Sequence, residues 1–202
     1  MEKFTRLTGV AAPLFRANID TDAIIPSREM KRVSKEGLGE GMFADWRYSD
    51  VAARVENPDF VLNRQPYRKA PILMGGPNFG CGSSREHAVW ALQDYGVRCV
   101  IAPSFGAIFQ GNCVRNGILP LVLPEPSIVA LVEQADPQIL TIDLAAQTVR
   151  TPDGTELPFT IPPADKEMLL EGLDAIGVTL KRLPTIQSFE GAYRARHPWL
   201  FF

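Results

Sequence analysis

The feature that most constrains the fold is an alternation of short apolar segments with helical segments in the middle of the chain. Residues 72–74, 99–102 and 118–123 are apolar runs of strand length, and residues 84–95 and 105–116 between them have helical length and composition. Strands that alternate with such helices are typical of βαβ units, whose right-handed crossovers build a parallel sheet. The sequence therefore predicts an α/β fold with a mainly parallel sheet core flanked by helices.

The segments on either side of this core predict further strands. Residues 5–15 predict a strand or a hairpin arm, and residues 139–143 predict a strand after a helix at residues 125–135. Residues 148–150 and 157–159 are separated by a Pro-Asp-Gly turn. This order predicts a small antiparallel hairpin beside the parallel core.

The length of 202 residues favours one domain that spans the whole chain, residues 1–202. Residues 27–70 are rich in charge and glycine, which predicts a long irregular excursion, and excursions of this length are often functional. Residues 184–202 predict a C-terminal appendage. It ends in Trp-Leu-Phe-Phe, and such an apolar tail either docks on a surface or meets a partner.

Charge and hydropathy exclude several classes of partner. The chain carries 21 basic and 23 acidic residues, for a net charge of −2, and its arginines are scattered, so we expect no nucleic-acid partner. No apolar stretch approaches the length of a membrane span, and the first 30 residues lack the pattern of a signal peptide. We therefore expect no membrane partner and a cytoplasmic location.

The three cysteines, Cys81, Cys99 and Cys113, are odd in number and show no CxxC spacing. This pattern disfavours a disulfide framework. An iron–sulfur cluster needs three or four thiolates, usually with two from a tight turn. The sequence therefore predicts that this chain itself binds no metal and no cofactor.

A glycine-rich turn at residues 75–87, Gly-Gly-Pro-Asn-Phe-Gly-Cys-Gly-Ser-Ser-Arg-Glu-His, separates a predicted strand from a predicted helix. Its glycines permit a tight turn close to a ligand, and the helix N-terminus that follows attracts anions. Ser83 and Glu86 also match the spacing of a capping box. Both interpretations, capping and anion binding, stay open on the residues alone. A nucleotide site is disfavoured, because the lysine of a phosphate loop and the acid of a ribose site are missing.

Several motifs in the same order give the chain a more specific resemblance. The segments GCGSSREHA, NIDTDAIIP, IAPSFGAIF and NGILPL, with FADWRY, NPDFVLN and GLDAIGVTL, extend over residues 4–180. Together they resemble the swivelling domain of the aconitase superfamily, and within it the small subunits of bacterial isopropylmalate isomerases. The resemblance implies an aconitase-type swivelling β/β/α domain. It also implies a hydro-lyase that interconverts 2-isopropylmalate and 3-isopropylmalate by dehydration and rehydration in leucine biosynthesis.

The resemblance assigns roles to the residues of the turn. Ser83 corresponds to the catalytic base, and Ser84 and Arg85 correspond to binders of substrate carboxylates. A large partner subunit is expected to carry the 4Fe–4S cluster that takes the leaving hydroxyl, so this chain is expected to act on a small hydroxy-diacid only together with that subunit. Five residues are expected to shape and brace the loop: Gly80, Gly82, Asp20, Thr21 and Asp22. For the last three, a purely structural Asx-turn is the alternative.

The segment after Ile-Ile-Pro, with Arg28, Glu29 and Met30, corresponds to a substrate-facing loop of the family. Many members have an apolar stretch at this position, whereas Arg28 and Glu29 are charged. The substrate could therefore be another diacid, of the methylmalate–citraconate or homoaconitate type. An alternative from a different class is a free-standing module that binds a small anion, and such a module would need no iron–sulfur partner.

Overall fold

The computed structural model describes residues 1–31, 34–82, 85–134 and 136–200. Within these ranges the chain forms a seven-stranded sheet and a separate two-stranded hairpin. The strands are β1 Arg6–Leu14, β2 Tyr48–Asp50, β3 Val55–Glu56, β4 Ile72–Gly75, β5 Cys99–Ala102, β6 Leu119–Val122, β7 Gln138–Asp143, β8 Thr148–Arg150 and β9 Glu156–Pro158. The helices are α1 Thr21–Ile24, α2 Ala44–Arg47, α3 Glu86–Tyr95, α4 Ala107–Arg115, α5 Glu125–Gln134, α6 Pro163–Glu171, α7 Ala175–Leu180 and α8 Leu183–Arg196.

The large sheet has the order β6-β5-β4-β1-β7-β8-β9. The pairs β1–β4, β4–β5 and β5–β6 are parallel, and the pairs β1–β7, β7–β8 and β8–β9 are antiparallel. The predicted α/β fold, its parallel core and its antiparallel hairpin are confirmed. Because parallel strands point the same way, β1, β4 and β5 end at one edge of the sheet, and the loops that follow them meet there.

The two faces of the sheet are both covered, which explains why the central strands are apolar throughout. Side chains alternate between the faces. Leu73 and Val100 lie in the core cluster that also contains residues of α3 and α4. Ile72 and Ile101 lie in the second cluster, together with residues of α5 and α6. Every residue of β4 and β5 is buried as a result.

The segment at residues 27–70 forms a packed layer over the first of these clusters. In its described part no helix or strand exceeds four residues, yet Leu38, Phe43 and Leu62 are fully or almost fully buried. The Tyr67 hydroxyl donates a hydrogen bond to the Asp136 carboxylate. Burial, together with this bond, raises the pKa of Tyr67 to about 12. The described part of residues 27–70 therefore has little regular secondary structure, but its large apolar side chains are packed in fixed positions.

Arg85 directly precedes the first residue of α3, and its side chain makes no capping hydrogen bond. The capping-box interpretation, which the sequence left open, involves Ser83, and Ser83 lies outside the described residues. Glu86 is the first residue of α3, and its carboxylate accepts a hydrogen bond from the Asn116 side chain at 2.9 Å.

Asn116, at the end of α4, fixes the position of α3. Its amide oxygen accepts from the Trp90 indole N–H at 3.1 Å, and its backbone carbonyl accepts from the Gln93 side chain at 3.1 Å. Glu86, Trp90 and Gln93 follow one another at helical spacing on one face of α3. Asn116 is only 8% exposed, so these bonds are shielded from water. The start of α3, and with it the end of the glycine-rich turn, is thereby held against α4.

Replacing Asn116 by alanine should lower the free energy of unfolding by about 2–3 kcal/mol, because it leaves the Glu86 carboxylate and the Trp90 N–H without this partner in a shielded place. Urea denaturation of the purified chain measures this change. Gln93→Ala is the matched control. It removes a single bond to a carbonyl and should cost less than about 1 kcal/mol. Equal losses for the two variants would contradict the role assigned to the Asn116 side chain.

Candidate active site

A cavity of about 310 Å³ opens at the edge where β1, β4 and β5 end. Ligands of open α/β sheets bind outside the carboxyl ends of the strands, so this is the expected place for a site. The loops after β1, β4 and β5 and the first turn of α4 contribute to its lining. The lining residues are Thr21, Asn78, Gly80, Cys81, Gly82, Arg85, Gly106, Ala107, Ile108 and Phe109.

The loops after β1 and β4 continue the parallel pairing of these strands beyond their ends. The Gly80 N–H donates to the Ile19 carbonyl at 2.7 Å, and the Thr21 N–H donates to the Cys81 carbonyl at 3.0 Å. Asp20 and Cys81 form a parallel bridge. The glycine-rich turn is therefore held along its backbone by residues that immediately precede and begin α1.

The loop after β5 holds the other side of the turn in the same way. The Phe79 N–H donates to the Ser104 carbonyl at 3.0 Å, and the Gly106 N–H donates to the Phe79 carbonyl at 2.9 Å. The Asn78 N–H donates to the Ser104 hydroxyl at 2.8 Å. Three loops thus form one hydrogen-bonded unit around the cavity.

Two glycines make this close approach possible. Gly80 has a φ of +72°, and a Cβ atom on it would lie 2.1 Å from the Phe109 ring. A Cβ atom on Gly106 would lie 2.5 Å from the Gly80 carbonyl oxygen. The expectation that Gly80 shapes the loop therefore has a steric basis, since a side chain there clashes with α4 and also strains the backbone.

Asp20 and Asp22 have different surroundings. Asp20 is the N-cap of α1, and its carboxylate accepts from the Ala23 N–H at 2.7 Å. This is the local structural role that the sequence left open for it. The Asp22 carboxylate instead accepts a hydrogen bond from the Arg85 guanidinium. It therefore links α1 to the residue that ends the turn.

Arg85 is the charged side chain in the lining of the cavity. Its Nη1 atom donates to Asp22 and to the Ser27 hydroxyl, the latter at 2.9 Å. The side chain is 31% exposed, so it is anchored while part of it reaches solvent. Among the described residues both anchoring bonds use Nη1, and the planar fork has further donors for an anion. Such an arrangement suits the binding of a carboxylate.

Ser83 and Ser84 lie outside the described residues. In the sequence they stand between Gly82 and Arg85, both of which line the cavity. Their roles as base and carboxylate binder stay predictions.

The three residues after Ser27 do not belong to the cavity lining. Arg28 pairs with Asp45, and Glu29 accepts from Arg54 at 2.5 Å, so both charges are matched by the layer at residues 27–70. Met30 packs against the first core cluster. Their assignment to a substrate-facing loop stays a prediction.

Ser27 itself makes a contact that the sequence did not predict. Its bond to Arg85 joins positions 58 apart in the chain. No local pattern of sequence signals such a pair. Phe109 and Gly106 were also not predicted as lining residues, although both stand in the segment IAPSFGAIF that carries the resemblance.

Cys99 and Cys113 are poorly suited to hold an iron–sulfur cluster. Cys99 and Cys113 are completely buried, and this burial raises the pKa of both thiols well above its usual value. Metal ligation requires the thiolate, which burial disfavours. Within residues 1–31, 34–82, 85–134 and 136–200, no three His, Cys, Asp or Glu side chains converge on a point that a metal could occupy.

In the described parts of the chain, no helix combines the length and the apolar character that crossing a bilayer requires.

Comparison with known proteins places this site in a family. Residues 1–126 match the model of the aconitase C-terminal domain, and residues 176–202 match that of the C-terminal domain of 3-isopropylmalate dehydratase small subunits. The 3-isopropylmalate dehydratase small subunit of Cupriavidus necator is 56% identical, over 100% of this chain and 99% of that protein. The protein of the same name from Rhodospirillum centenum is 54% identical over 98% of each chain.

A solved structure supports the same family assignment. The 3-isopropylmalate dehydratase structure from Methanocaldococcus jannaschii superimposes with a TM-score of 0.67 at 26% identity, covering 92% of this chain and 99% of the other. The solved chain of that name therefore shares the overall fold described above. The chain belongs to the family of 3-isopropylmalate dehydratase small subunits, within the aconitase superfamily.

Proposed function

We propose that this chain is the small subunit of a 3-isopropylmalate dehydratase and that it supplies the base and the carboxylate-binding groups of the active site. The observation that carries this proposal is the position of Arg85. Its guanidinium is anchored by Asp22 and Ser27 at the mouth of a glycine-lined cavity, directly after the two serines that the family resemblance assigns to catalysis. The reaction belongs to leucine biosynthesis, as the names of the relatives indicate.

The cavity has the chemical parts that an alkyl-substituted hydroxy-diacid requires. Arg85 offers a planar donor pair for one carboxylate, and Ser84 is proposed to bind as a second donor. Ala107 and Ile108 give the lining an apolar portion, and Ile108 is 54% exposed. An apolar substituent such as an isopropyl group is therefore accommodated beside the carboxylate-binding arginine.

Ser83 is proposed to act as the base. Its oxygen removes the proton from the carbon beside a carboxylate, the hydroxyl group leaves the neighbouring carbon, and an unsaturated diacid results. Rehydration then adds the proton and hydroxide with the opposite regiochemistry. A serine oxyanion needs stabilisation by preorganised donors and by positive charge. The backbone of Cys81 and Gly82 and the nearby Arg85 are the groups of this chain that we propose for this purpose, since the Gly80 N–H is bonded to the Ile19 carbonyl.

The departing hydroxide needs a Lewis acid. The described residues of this chain do not form a site for a metal that could serve as one. We therefore propose that the 4Fe–4S cluster is on the large subunit and that the small subunit is inactive alone. The relatives are named small subunits, which supports the existence of a large partner subunit. We also propose a cytoplasmic location and neither a nucleic-acid nor a membrane partner, which agrees with the low net charge of −2.

We infer that the charges of Arg28 and Glu29 do not select a more polar substrate. Each is bonded to an opposite charge within the layer at residues 27–70. We retain Arg28, Glu29 and Met30 as part of the substrate-facing loop, because Ser27 next to them holds Arg85. In this proposal these three residues affect substrate binding indirectly, because they help to set the position of the loop that carries Ser27.

Replacing Ser83 by alanine should lower kcat by a factor of about 100 to 10,000, because the base is lost, while KM and the thermal transition change little. The measurement is steady-state kinetics of the variant assembled with its large subunit and the 4Fe–4S cluster. Ser127→Ala, at the start of α5 and away from the cavity, is the control and should keep normal turnover. Near-normal kcat for Ser83→Ala would remove the proposed base.

Arg85→Lys keeps the positive charge but loses the planar fork, so KM should rise about tenfold or more and kcat should fall as well. Arg150→Lys is the matched control, since Arg150 also pairs with a carboxylate, that of Glu156, but lies outside the cavity. The kcat and KM of the Arg150→Lys variant should equal those of the unchanged enzyme. The carboxylate clamp is contradicted if the two variants behave alike.

The isolated chain, purified without oxygen, should be colourless and free of stoichiometric iron, because a cluster needs three or four thiolates and two of the three cysteines, Cys99 and Cys113, are buried in the core. Iron and acid-labile sulfide assays test this expectation. A brown chain with about four irons would place the cluster on this chain and refute the proposed division of roles.

A further inference from the structure

The C-terminal arm, defined here as residues 175–200, consists of α7, α8 and a 3-10 turn at Pro198–Leu200. All of these residues are described, and none of the fourteen residues of α8 is buried. The described part of the chain exposes twelve large apolar side chains, and seven of them belong to the arm: Ile176, Leu180, Leu183, Phe189, Tyr193, Trp199 and Leu200. The sequence left open whether the apolar tail docks on a surface or meets a partner. In the described part of the tail, Trp199 and Leu200 are exposed and do not pack on the domain.

The exposed side chains of the arm form an ordered ridge. The rings of Phe189 and Tyr193 stack at 5.6 Å, Tyr193 contacts His197 at 4.6 Å, and His197 contacts Trp199 edge-on at 5.3 Å. Phe189 is 67% exposed and Trp199 is 63% exposed. Aromatic side chains held in place by one another lose little conformational freedom on binding, which favours their use at the centre of a protein interface.

A groove lies beside this ridge, between α7 and α8. It has a volume of about 610 Å³ and is lined by Val178, Thr179, Arg182, Thr185, Ile186 and Phe189. Its size suits one or two apolar side chains of a partner. The ridge and the groove together match the composition of protein-binding sites, in which aromatic residues and arginine are enriched.

The charge of the arm distinguishes between possible partners. Residues 175–200 carry Lys181, Arg182, Arg194 and Arg196 against Glu190, a formal charge of +3, whereas the whole chain has a net charge of −2. In a two-fold contact between copies, the same surface meets itself and like charges are brought together. This disfavours a second copy of the chain. The complementary partner has an apolar surface with acidic residues around it.

We propose that the C-terminal arm is a docking surface for the large subunit of the enzyme, with Phe189 and Trp199 as its anchoring side chains. The inference rests on the proposed function to the extent that it takes the large subunit as the partner. Residues 176–202 match a family model that is specific to small subunits, whereas the aconitase C-terminal domain model ends at residue 126. The arm therefore belongs to the part of the sequence that marks the chain as one of two subunits.

Phe189→Ser and Trp199→Ser should each weaken binding of the purified large subunit at least tenfold, as measured by sedimentation velocity over a range of concentrations. Truncation of an anchoring aromatic typically has an effect of this size or larger. The control is Val55→Ser, which alters a similarly exposed apolar side chain (52%) outside the arm and should leave binding unchanged. Thermal unfolding of the isolated variants should match that of the unchanged chain, because neither residue is buried.

Activity provides a second readout. Titration with the large subunit should restore the full plateau rate to both arm variants, but at concentrations at least tenfold higher. Unchanged binding of both variants, or a dimer of the isolated chain that these substitutions dissociate, would overturn the proposal. The binding assay needs no turnover, so an assembled complex that depends on the arm but lacks isomerase activity would refute the proposed function and leave this inference standing.

Discussion

The structure depends on the close backbone contact among the three loops that follow β1, β4 and β5. Their hydrogen bonds extend the parallel sheet past its edge, so the glycine-rich turn is fixed by main-chain atoms. Main-chain bonds do not require particular side chains on the partner loops. They do require glycine where two backbones, or a backbone and a ring, come too close for a Cβ atom, as at Gly80 and Gly106. The cavity and the glycine-rich turn are consequently positioned by main-chain atoms, independently of any reactive side chain.

A second connection joins this rigid edge to the layer at residues 27–70. Arg85 ends the turn and is bonded to Asp22 on α1 and to Ser27 at the start of the layer. Asn116 holds the next residue, Glu86, from the opposite side. The backbone around Arg85 is therefore positioned from α4, and its side chain from α1 and the layer. An arginine with this support keeps its orientation when no ligand is present.

Much of the fold could be predicted from the sequence, because its strands and helices are encoded by local patterns. The apolar runs before Gly75 and at Cys99–Ala102 correspond to β4 and β5, and the parallel core follows from their alternation with helices. The turn was identified by its glycines. Contacts between distant segments could not be predicted in this way. The bonds of Arg85 to Ser27 and of Glu86 to Asn116 depend on the tertiary fold, and no local pattern of residues signals either of them. The packed layer at residues 27–70 was missed as a layer because its buried side chains follow no helical or strand period.

The burial of Cys99 and Cys113 bears on how the enzyme withstands oxidation. Reaction of a thiol with peroxide or oxygen-derived species proceeds through the thiolate and requires access, and both are suppressed for these two residues. Oxidants that reach the surface of this chain therefore leave the two thiols of its hydrophobic core intact, whereas Cys81, which is only half-buried, lacks this shielding.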